Sequence, residues 1–166
     1  MRDYELMVVL SPDLDEGGAR REWFLRVIET LKARSKLLGD LTRVLQPFLS
    51  DRFEYRPEAV EKYLRTGGKG GGPRMVADRM RALRTTLAGV APFNEERTEQ
   101  ALRRLAESRG EPAAPYIHPL RVALVGTAVS PGIFTILSLI GKDRAMARLD
   151  RLVGFLDQID TPPPVR

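Results

Sequence analysis

The sequence predicts an all-α chain with one extra strand at its N-terminus. Three observations carry this prediction. Apolar residues recur at spacings of three and four in segment after segment. Glycine and proline divide those segments at short intervals. Only the first ten residues break the pattern, with an extended, β-branched run.

The elements follow in order. Tyr4 to Leu10 (YELMVVL) reads as a strand, ended by Ser11-Pro12-Asp13. A lone strand cannot form a sheet, so it packs as an extended arm, pairs with another chain or is out of place. A basic amphipathic helix is expected over 20–38, with Trp23, Val27 and Leu31 at spacing four and Phe24 and Ile28 beside them. Gly39 suits its C-terminus, and Asp40 suits the start of a helix carrying Leu41, Val44, Leu45 and Phe48. Pro57 can open a short helix to Arg65, because the first turn leaves its N–H unpaired anyway. Gly67 to Pro73 is a connector. Helices are expected over 74–87, with Met75, Met80, Leu83 and Leu87 inward, and over 94–108, with Leu102, Leu105 and Ala106 inward. Pro112, Pro115 and Pro119 predict a stiff, non-helical link. Leu120 to Val125 alternates as a strand does, and its pattern leaves strand or helix open. Ser130-Pro131 has the chemistry of an N-cap followed by a first-turn proline, opening a helix to Ile140. Gly141 separates it from a last amphipathic helix over 142–158, carrying Met146, Leu149, Leu152, Val153 and Leu156. The proline-rich tail is expected to fray.

Composition narrows the chemistry. The chain has 166 residues, of which 43% are hydrophobic, enough for a core. Its net charge of +5 favours polyanionic partners without naming one. With no cysteine, disulfides and thiolate sites are excluded. His118 is the single histidine, so a histidine-rich zinc site within one chain is excluded too, and no metal or cofactor is expected. The start has acids at Asp3 and Glu5 and too short an apolar run for a signal peptide. The longest apolar stretch, Ile133 to Ile140, falls far short of the roughly 20 residues of a membrane helix. A cytoplasmic protein is expected. The glycines around Lys69 do not form a phosphate loop, because Lys69 is followed by Gly70 and preceded by a polar helix. His118, between Ile117 and Pro119, has no activating neighbours in sequence and reads as a structural or surface histidine. Arg34 stands near a glycine break and Arg121 follows a proline-stiffened segment. Either can be a solvated arginine, or a planar fork that contacts bases and phosphates.

His118 to Leu149 (HPLRVALVGTAVSPGIFTILSLIGKDRAMARL) resembles the terminal helical domain of bacterial glutamyl-tRNA synthetases. The likeness rests on Pro119-Leu120-Arg121, Gly126, Ser130-Pro131, Gly141-Lys142-Asp143 and Arg148-Leu149, in that order. Trp23 to Leu49 and Thr98 to Gly110 resemble upstream helices of the same region, and the likeness covers about residues 20–156. It implies a two-part helical bundle of the class I synthetase anticodon-binding type, with tRNA as partner. By position, Arg34 corresponds to an arginine at the first anticodon base. Arg121, Ser130, Pro131 and Ile133 correspond to the wall at the second and third. Those bases are unpaired, so their faces and edges are open to protein.

The sequence departs from that family where Val125 replaces a threonine, where Phe93 to Arg97 replaces an aromatic, and in its longer glycine loop. It also carries neither ATP-site signature of the family, so no catalysis is expected from these residues alone. Residues 1–18 resemble instead the start of small-subunit ribosomal protein six. The resemblances divide the chain into 1–18 (ribosomal-protein-like strand and turn), 19–92 (first anticodon-binding subdomain), 93–158 (terminal subdomain) and 159–166 (tail). Two other roles compete with tRNA binding. One is a scaffold that docks a protein, such as a separate synthetase catalytic domain, through residues 4–10. The other is a non-functional remnant of the synthetase.

Overall fold

The computed structural model describes residues 18–32, 45–66 and 71–160. Every regular element among them is helical. They are α1 (Gly18–Lys32), α2 (45–49), α3 (Pro57–Val60), α4 (Pro73–Ala88), α5 (Glu95–Ser108), α6 (Ala114–Val125), α7 (Ile133–Ile140) and α8 (Lys142–Asp160). Helix α3 runs directly into a π-helical turn, Glu61–Arg65. The strand expected over Tyr4 to Leu10, the first half of the second helix, Arg34, most of the glycine connector and the tail after residue 160 lie outside the described residues.

Helix α4 sits at the centre. Val76, Met80, Leu83 and Leu87 form one buried stripe, which packs most extensively on α8 and also on α5 and α6. From α8 come Ala145, Met146, Leu149, Leu152 and Leu156, again at spacings of three and four. Arg81 to Asp157 and Arg84 to Asp150 pair across the exposed flank of this contact. The core cluster continues without a break across the boundary expected at 92/93. Trp23 attaches α1 by donating its indole N–H to the Leu139 carbonyl at 2.6 Å, while Val27 is fully buried.

Three expectations are corrected. The segment from Pro112 to Val125 is not a stiff link followed by an ambiguous run, for α6 covers residues 114–125. Pro115 lies in the first turn, where proline is tolerated, and Pro119 lies inside the helix at the cost of one backbone hydrogen bond. Tyr116, Leu120, Val122, Ala123 and Leu124 are all fully buried, so α6 carries only a narrow polar stripe and its helical period is hidden in the sequence. Ser130 does not cap α7. That helix starts at Ile133 with Gly132 at the N-cap position, without a side-chain cap. Met75 is 49% exposed, since Val76 and Ala77 take the inward positions of the first turn of α4.

Other ends obey local chemistry. Asn94 caps α5 by accepting the Arg97 N–H at 3.0 Å, beside acids Glu95 and Glu96 at the positive end of the helix dipole. Gly126 ends α6 at φ 73°, a conformation open to glycine. A Cβ added there would stand 2.5 Å from the Glu54 carbonyl oxygen and 3.0 Å from the Phe53 ring. The Gly126 carbonyl in turn accepts the Arg56 N–H at 2.8 Å. The 51–57 segment is thereby fastened to the end of α6.

Candidate nucleic-acid interface

The burial of α6 determines where Arg121 can be. With Leu120, Val122 and Ala123 all inside, the stripe that reaches solvent runs through Ala114, the neighbours Ile117 and His118, and Arg121. Arg121 Nε donates to Ser130 Oγ at 2.9 Å, and the Ser130 hydroxyl donates onward to the Pro131 carbonyl at 2.9 Å. The arginine is thus braced against the loop between α6 and α7. Thr127 stiffens the same loop by donating to the Val129 carbonyl at 2.7 Å, and Val129 stands 79% exposed at its tip.

Arg121 Nη1 also lies 3.4 Å from His118 Nδ1. A guanidinium only donates, so this imidazole nitrogen can take part only as an acceptor. The His118 ring stacks on Tyr63, with centroids 4.6 Å apart and planes 15° from parallel. Tyr63 comes from the π-helical turn, and Lys62 Nζ lies 5.2 Å from the centre of its ring. Burial, followed by the charges of Arg121 and Lys62, pushes the His118 imidazole below its usual range, so it is neutral at pH 7.

The structure brings Arg121 and Ser130 together. It treats the two apolar residues differently from the sequence expectation. Ile133 is 4% exposed and Pro131 is buried, so both face the core instead of offering open apolar surface to a base. Arg34 lies outside the described residues. Sequence reasoning missed Lys62 and Tyr63, and passed over His118. The stack joins residues distant in the chain, and the local pattern held no signal for it beyond a run of lysine and tyrosine.

A second arginine group has a different character. Arg148 is 2% exposed and donates to the carbonyls of Leu124 and Pro47 and to the Asp51 carboxylate at 2.6 Å. Arg144 joins the same carboxylate at 3.0 Å and donates to the Phe48 carbonyl at 2.9 Å. Partial burial alone would raise the Asp51 carboxyl, but hydrogen bonds from Arg148 and Arg144 outweigh it and hold the group below its usual range. Arg151 donates to the Asp51 and Phe53 carbonyls, with its guanidinium 5.1 Å from the Phe53 and Tyr55 ring centres. A cleft of about 890 Å³ opens beside it, lined by Asp51, Phe53, Tyr55, Arg56 and Thr127 among others. It includes neither Arg121 nor Ser130, and the Arg151 at its wall is engaged with backbone, so it marks a packed joint more than a binding site.

Among the described residues, no cluster of three or more histidine or acidic side chains could hold a metal ion, and no helix is long and apolar enough to cross a membrane.

Comparison with known proteins agrees with the helical architecture. The glutamate–tRNA ligase of Syntrophobacter fumaroxidans is 33% identical over 156 residues, 92% of this chain and 32% of that protein. Glutamate–tRNA ligase 2 of Koribacter versatilis is 36% identical over 124 residues, 75% of this chain and 24% of that protein. A crystal structure of a glutamate tRNA ligase from Elizabethkingia meningosepticum superimposes with a TM-score of 0.69 at 23% identity, over 81% of this chain and 25% of that one. The chain therefore spans a third or less of the length of these relatives. The model of the anticodon binding domain family matches residues 5–153, on both sides of Gly18, so the region of likeness extends into the stretch that by itself resembles a ribosomal protein. The chain belongs to the anticodon-binding domain family.

Proposed function

We propose that this chain grips the anticodon loop of a glutamate-type tRNA. The family match over residues 5–153 carries the proposal. The relatives matched over most of this chain are glutamate–tRNA ligases, which points to the same class of tRNA. Their ligase chemistry belongs, in this reading, with the two thirds of their length that the chain does not span. The chain supplies the grip and works beside that catalytic part in the cytoplasm.

Arg121 is the principal contact in this proposal. It is half-buried on the one solvent stripe of α6, and its fork is braced by a serine hydroxyl, an acceptor that can exchange with a phosphate or base oxygen. Ser130 contributes through that brace. Pro131 and Ile133 support the loop from inside, and Arg34 completes the set at the first anticodon base. We keep 19–92 and 93–158 as the two parts that meet the loop, joined through the common core.

The test is a panel of tRNAs titrated at two salt concentrations. Glutamate tRNA should bind more tightly than the others at both, and every affinity should fall as salt rises, because phosphate contacts release counterions. Equal affinity for all tRNAs at matched salt would refute the specificity.

A further inference from the structure

We propose that Tyr63 and His118 form a stacking platform for one unpaired base of the bound RNA, flanked by Lys62 and Arg121 as phosphate contacts. The proposal rests on the tRNA reading above and adds a second wall to that site.

Four observations support it. First, the geometry is that of a stack a base can extend. Among the described residues, Phe53–Tyr55 and Tyr55–Phe155 meet edge to face, at 71° and 69°, whereas Tyr63 and His118 lie 15° from parallel. A nucleobase is flat and adds to parallel rings as a further layer, whatever its identity. Second, both rings are half-buried, so they are held by the fold yet reach solvent. Third, two cationic side chains adjoin the stack, Lys62 with its Nζ 5.2 Å from the Tyr63 ring centre and Arg121 with its Nη1 3.4 Å from His118 Nδ1. Cations beside an aromatic stack suit a polyanion passing over it. Fourth, Tyr63 is delivered by a π-helical turn, a local widening frequent at functional sites. The platform adjoins the braced fork directly, through the 3.4 Å approach of His118 to Arg121.

The experiment uses the wild-type chain and an RNA hairpin carrying the glutamate-type anticodon loop. His118 is the single histidine, so its ring protons identify themselves by NMR. The titration is run at pH 8, where the imidazole is neutral before binding. A base stacked on the platform moves those protons upfield by its ring current, saturating at one hairpin per chain. In parallel, Y63L should weaken hairpin binding by about ten-fold while Y63F stays near wild type, the usual scale of one base–aromatic stack. K62A should weaken binding and reduce its salt dependence. If the hairpin binds but the His118 protons stay still, the platform is refuted and the tRNA reading stands. Unchanged affinity in a folded Y63L has the same meaning. If Y63L does not fold, the wild-type NMR titration decides alone. If the wild-type chain does not bind the hairpin, both readings fall together.

Discussion

Two arginine groups among the described residues hold the same side chain in opposite settings. Arg148 is sealed inside, its fork divided between the carbonyls of Leu124 and Pro47 and the carboxylate of Asp51. Two of these acceptors are backbone carbonyls and the third is an exposed carboxylate, and together they clamp the 47–51 segment to α6 and α8. Arg121 is half-buried and rests on a serine hydroxyl and an imidazole nitrogen, which are side-chain partners that can be exchanged. In the proposed function, the surroundings of an arginine, more than its presence, separate a structural clamp from a ligand contact. The sequence motif that carries the family likeness contains both kinds, Arg121 near its start and Arg148 near its end.

That contrast can be broken by experiment. The largest effect is expected from R148A. It leaves two backbone carbonyls without their donor and Asp51 without its closest partner, and should cost about 3 kcal/mol in urea unfolding. A loss under about 1 kcal/mol would mean that the clamp does not hold the fold. G126A should cost about 2 kcal/mol, because an L-residue is strained at φ 73° and its Cβ meets the Glu54 carbonyl. Thermal unfolding measures this, and a neutral result would show that the 51–57 joint yields freely.

R121A should do the reverse of R148A. It should lower affinity for glutamate tRNA about ten-fold with less than about 1 kcal/mol of lost stability. R103A, whose arginine pairs with Glu99 on the exposed face of α5, is the control and should change neither property appreciably. Equal effects of R121A and R103A on binding would remove Arg121 from the interface.

The smallest effect concerns acid. The Asp51 carboxyl is lower in the folded chain than in the unfolded one. Its contribution is therefore complete above the unfolded carboxylate value of about 4 and disappears as pH falls from there through the lower folded value. D51N abolishes that titration, so between pH 5 and pH 3 its melting temperature should fall less than that of the wild type. A parallel fall in both would show that the Arg148 and Arg144 contacts do not depend on the charge of Asp51.

Much of this architecture could be read from residues alone, and the exceptions share a cause. Helices α4, α5 and α8 are amphipathic, with clear inner stripes. Helix α6 concealed itself, because a helix buried on nearly every side shows little period and two prolines point away from helix. Ser130-Pro131 offered the local chemistry of a cap, but the structure gives the serine hydroxyl to Arg121 and the cap position to Gly132. Arg121 stood out only through family likeness, since nothing in its neighbours distinguishes a braced fork from a solvated one. Tyr63 and Lys62 gave no local signal beyond their adjacency. They meet His118 only when α6 folds back beside the turn that carries them.

In the proposed function the anticodon loop, rather than the body of the tRNA, decides what binds. The direct measurement is an exchange of loops. A non-cognate tRNA is given the anticodon loop of glutamate tRNA, and glutamate tRNA receives the non-cognate loop. Their affinities are then compared at one salt concentration. The predicted result is that tight binding follows the loop and that R121A removes most of the advantage. Tight binding that stays with the original tRNA body, whichever loop it carries, would contradict the account.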